Sequence, residues 1–64
     1  MAEINEFYTI INGEEVQIAT IQTEGKTDYV YDMRGELVTI VYNNDYKLAR
    51  VLDKLSKKIE KGKQ

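Results

Sequence analysis

The sequence predicts an α+β domain: a four-stranded antiparallel β-meander followed by one C-terminal amphipathic α-helix packed on one face of the sheet. Three observations predict it. Four short runs are rich in β-branched and aromatic residues, turn-forming residues separate them, and near Asp45 the apolar period changes from two to about 3.6.

The first strand is read from Ile4 to Ile11. Asn12-Gly13 follows, a pair suited to a two-residue hairpin turn because both central positions need positive φ. Val16 to Gln22 is the second strand, ending in the polar loop Thr23-Glu24-Gly25-Lys26-Thr27. Tyr29 to Met33 forms the third, turned by Arg34-Gly35, and Leu37 to Tyr42 the fourth. Asn43-Asn44-Asp45 then offers consecutive helix N-cap candidates. Beyond them Leu48, Val51, Leu52, Leu55 and Ile59 fall on one stripe of a helix, and Gly62 stands where a glycine cap would end it. The chain 1–64 is thus expected to be one domain, with a meander over 1–43, a helix over 44–61 and a frayed tail at 62–64.

Strict alternation along the strands assigns their faces. With Asn12 and Gly13 in the turn, Phe7 faces Ile18, and Phe7, Thr9, Ile11, Val16 and Ile18 share one face. Ile4, Tyr8, Ile10, Ala19 and Ile21 share the other. In the second hairpin Tyr29, Tyr31, Val38, Ile40 and Tyr42 lie together, opposite Asp28, Val30, Asp32, Leu37 and Val41. Both faces carry apolar residues, yet one helix covers only one. A half-solvated antiparallel sheet alternates more cleanly than this. Ile4, Tyr8, Ile10, Ile21, Val30 and Leu37 are therefore candidate interface residues. A chain of 64 residues buries only about 60% of its unfolded surface and gains from a partner subunit, so a homodimer is expected.

Composition narrows the chemistry. There is no cysteine and no histidine, which removes disulfides, thiolate nucleophiles, the commonest metal ligands and the usual general base. The single serine, Ser56, has only lysine nearby as a base, and the four glycines are too scattered to cradle a phosphate. Asn43-Asn44-Asp45 lacks the acidic density of a calcium loop. No catalytic residue, cofactor, metal or small-molecule substrate is expected. Neither a membrane span nor a leader segment is evident, and a cytoplasmic protein is expected.

The charge is segregated. Residues 1–45 carry nine acids against two bases, and residues 46–64 carry seven bases against two acids, so the net −2 hides an acidic sheet and a basic helix. Glu6, Glu15, Asp28 and Asp32 form the candidate acidic partner surface. Lys47, Arg50, Lys54, Lys57, Lys58 and Lys61 lie within a helical arc of about 100°, away from the apolar stripe. Three readings of this basic face stand side by side. Its lysines are solvated near the helix C-terminus, or they bind phosphates, or they meet an acidic surface such as the sheet of a second chain. The functional expectation is a non-enzymatic interaction module, regulatory or inhibitory, acting through its acidic sheet on a basic protein and forming a homodimer. The alternative is a nucleic-acid-binding accessory protein that uses the basic helix face.

Overall fold

A computed structural model describes residues 2–62. Strands β1 (Glu3–Ile11), β2 (Glu14–Glu24), β3 (Thr27–Tyr31) and β4 (Leu37–Tyr42) form one antiparallel sheet in the order β1-β2-β3-β4, followed by helix α1 (Asp45–Gly62). The α+β meander-and-helix architecture is as expected. Gly62 is the last helical residue, one place later than the expected boundary, while Lys63 and Gln64 of the expected tail lie outside the described residues.

Local chemistry accounts for the joints. Asn12 (φ 53°) and Gly13 (φ 80°) both take the left-handed conformation that a two-residue hairpin demands, and Ile11 faces Glu14 across it. Asn44 starts the helix: its Oδ1 accepts the Lys47 N–H at 3.0 Å and its carbonyl accepts the Leu48 N–H. Helix α1 lies along β2, and the Ser56 hydroxyl donates to Thr9 Oγ1 on β1 at 3.2 Å.

The register departs from strict alternation at two points. Thr9 faces Val16 and Tyr8 faces Gln17 as expected, but Phe7 faces Ala19 rather than Ile18. Ile18 is the extra residue of a β-bulge, which turns two successive side chains, Ile18 and Ala19, to the same side. A second bulge lies opposite Val30 and Tyr31: Thr39 faces Val30, Leu37 faces Tyr31, and Val38 is extra.

Each bulge shifts the phase of everything beyond it. Ala19 and Ile21 move to the helix side, where they form the core with Ile18 and Val30. Phe7, Leu48, Val51, Leu52, Leu55 and Ile59 pack against that cluster. Leu37 joins the tyrosine-bearing face, and Val38 joins the helix side beside Leu55 and Ile59. The expected interface positions Ile21 (2% exposed) and Val30 (0%) are therefore core residues and offer no surface to a partner.

Candidate functional site

The face of the sheet turned away from α1 is assembled from all four strands. Two cross-strand rows run its full width, Ile4–Gln22–Tyr29–Ile40 and Glu6–Thr20–Tyr31–Leu37. Tyr42 extends the tyrosine side, and Tyr8 and Ile10 extend the β1 side. Its large apolar residues are well exposed, with Ile4 at 68%, Ile10 at 65% and Tyr42 at 69%. Strand β2 gives this face the polar residues Gln17, Thr20 and Gln22, and the Gln17 amide donates to Thr20 Oγ1 at 3.3 Å. At the end of that strand Gln22 donates to the Glu24 carboxylate at 3.3 Å.

Glu6, Glu15 and Glu24 stand among or beside these residues, and no strand residue on the face is basic. The two bases of the first 45 residues, Lys26 and Arg34, sit in turns. Tyr8 points its hydroxyl at Glu6 (3.4 Å), and the negative charge of that carboxylate raises the tyrosine above its ordinary titration range.

The structure thus gathers four of the expected interface residues, Ile4, Tyr8, Ile10 and Leu37, with two of the expected acids, Glu6 and Glu15. The other two acids lie elsewhere and serve the fold. Asp28 is on the helix side of β3 and accepts a 2.6 Å hydrogen bond from the Thr23 hydroxyl. Asp32 follows β3, and its Oδ1 accepts the N–H groups of Arg34 (2.8 Å) and Glu36 (3.0 Å), closing the β3–β4 loop. Tyr29, Tyr31, Ile40 and Tyr42 were absent from the expected interface although they form half of the face. The alternation of Tyr29 with Tyr31 and of Ile40 with Tyr42 was the signal available in the sequence.

Both free edges of the sheet are blunted. β1 carries Glu3 and Glu6, and β4 begins at its bulge, two devices that oppose edge-to-edge pairing. What the sheet has to offer is a face rather than an edge.

The basic residues occupy the far side of the molecule. Lys47, Arg50, Lys54, Lys57, Lys58 and Lys61 are all exposed on α1. Among the described residues the only ion pair is Lys57 with Asp53 at 3.1 Å. A cleft of about 420 Å³ opens beside Tyr46, Lys47, Arg50 and Lys54, and the Arg50 guanidinium lies over the Tyr46 ring, 5.9 Å from its centre. The expected basic face is therefore one continuous surface.

No described helix is long and apolar enough to cross a membrane. Comparison of the chain with protein-family models, with curated proteins and with solved structures finds no match.

Proposed function

We propose that this chain is a non-catalytic protein-interaction module, regulatory or inhibitory, whose working surface is the outer sheet face and whose partner is a protein presenting a basic surface. One observation carries the reading. Exposed and half-buried tyrosine and aliphatic side chains from all four strands, flanked on β1 and β2 by Glu6, Glu15 and Glu24 with no strand cation among them, make one contiguous face. Tyrosine supplies contact area and cation–π acceptors at low entropic cost, and carboxylates steer a cationic partner.

Charge decides between occupants. Two copies apposed through this face would gather six carboxylates and no strand cation. A basic protein would neutralise them, and in doing so would have its cationic surface masked, which is the sense in which the module regulates or inhibits.

The test is an NMR titration with an arginine-rich peptide, alongside sedimentation of the chain alone. Amide shifts should map to the outer-face residues and fade with added salt. Glu6→Lys with Glu15→Lys should abolish them, and Ile40→Ser should weaken them, with the fold intact in each case. Unchanged binding by these variants would refute the proposal. A dimer of the chain alone that tightens as salt rises would instead assign the face to a second copy.

A further inference from the structure

We infer that the N-terminal half of α1 carries a second binding site, for single-stranded nucleic acid, built from Tyr46, Lys47, Arg50 and Lys54. It lies on the opposite side of the molecule from the outer sheet face and does not depend on the reading of that face.

Three observations place it there. The first is geometric. Lys47, Arg50 and Lys54 follow one another at three- and four-residue steps, so they share a strip of the helix about 10 Å long. The 420 Å³ cleft lies along that strip. The acids of the helix, Asp45, Asp53 and Glu60, fall on the other flank. None of the three cations has a carboxylate partner among the described residues.

The second is electrostatic. A lysine in the last turn of a helix is favoured by its dipole, which accounts for Lys61 without any ligand. The same dipole opposes a cation at Lys47, in the first turn. Arg50 and Lys54 also repel each other at i, i+4. A local arrangement that costs stability in the free protein is repaid when an anion enters, and at this end of the helix the dipole itself adds to the attraction.

The third is the aromatic ring. Tyr46 is 74% exposed, and Arg50 lies over its ring without losing charge to a carboxylate. The stack holds the guanidinium at the cleft and leaves its N–H edge free for a phosphate. The uncovered area of the ring is a platform for a base, and an unstacked base is what a single strand supplies and a duplex withholds. The outer-face acids Glu6, Glu15 and Glu24 lie on the side of the sheet turned away from α1 and so face away from the site.

The experiment is fluorescence anisotropy of a labelled oligothymidylate with the full chain over a series of salt concentrations. Three phosphate contacts predict a slope of log affinity on log salt of about −2, since each contributes roughly 0.7 on a single strand. Arg50→Gln or Lys54→Gln should each flatten the slope by about 0.7. Tyr46→Ala should weaken binding about fivefold or more. Glu14→Gln, at the β1–β2 hairpin, should leave affinity unchanged, and circular dichroism checks that each variant is folded. Absence of binding at low salt overturns the inference. So does equal weakening by Lys57→Gln with Lys61→Gln, which would indicate a diffuse cationic stripe. Binding to phosphatidylserine vesicles that matches the oligonucleotide and ignores Tyr46→Ala overturns it as well, because phosphate chemistry alone would then suffice.

Discussion

Asp32 illustrates how a single acid can be read for its charge and turn out to act through its geometry. Its two accepted N–H groups, with the Asp32 N–H donating to the Glu36 carbonyl at 2.9 Å, hold a loop in which Gly35 adopts φ 84°. The Glu36 N–H lowers the Asp32 carboxyl below its ordinary value; the cost of burial, next in size, opposes it, and the Arg34 N–H with the nearby Arg34 and Lys58 charges adds to the lowering. A carboxyl whose folded value is depressed adds stability above its unfolded value of about 3.9, and that stability is lost as pH falls through the lower folded value. Asp32→Asn should therefore lower the melting temperature at neutral pH. The gap to the native protein should close in thermal melts taken progressively below about pH 4. A gap independent of pH would mean that the amide replaces shape and not charge. Aspartate three residues before a turn glycine is itself a recognisable loop closure. The role was legible in Asp32-Met33-Arg34-Gly35, though the two residues that supply the N–H groups were not.

At the scale of strands and helix, nearly every element was legible because its signals are local. Alternation marks the strands, Asn12-Gly13 marks a turn, Asn44 a cap, and the 3.6 period a helix. The two bulges were not foreseen, and they decide which residues are core. A hint did exist: Val16 and Ile18 keep one phase of alternation, while Ala19 and Ile21 begin the other. A phase slip of that kind has two explanations, a bulge or a strand apolar on both faces, and only the pairing chooses between them. The choice is measurable. Ile21→Glu places a charge in the core and should abolish cooperative urea unfolding, whereas Ile10→Glu on the open face should change stability by about 0.5 kcal/mol or less. Tolerance of Ile21→Glu would restore the unbulged register. Leu52, on the stripe that packs against the core, tests the helix in the same way. Leu52→Ala should cost about 2 kcal/mol, the low end for a core truncation because the residue is only half-buried. Against a total of roughly 3–10 kcal/mol for a chain this size, that loss would show clearly in the unfolding midpoint.

Considered whole, the molecule is polarised: six cations lie together on the helix, while Glu6, Glu15 and Glu24 share the outer sheet face with Tyr8, Tyr29, Tyr31 and Tyr42. The composition revealed this separation at once, because the acids and bases divide near residue 45, where sheet gives way to helix. It could not reveal that Asp28 and Asp32 leave the acidic face, since the one packs on the helix side and the other closes a loop. Such a molecule is expected to be its own weak ligand. The helix of one copy would complement the outer face of the next, and a contact between unlike surfaces forms rings or open chains rather than a two-fold dimer. In dilute buffer, where charges act over tens of ångströms, sedimentation should reveal association that grows with protein concentration. Near physiological salt, where screening sets in at about 8 Å, it should vanish. Lys54→Gln with Lys58→Gln should suppress it, as should Glu6→Gln with Glu15→Gln. Mixing those two variants should not restore open-ended chains, because each retains only one competent surface, but should yield a discrete pair. A symmetric dimer through the apolar face predicts the opposite salt dependence, since added salt would screen its six carboxylates and tighten it. The sign of that single dependence distinguishes a face made for an unlike partner from one made for itself.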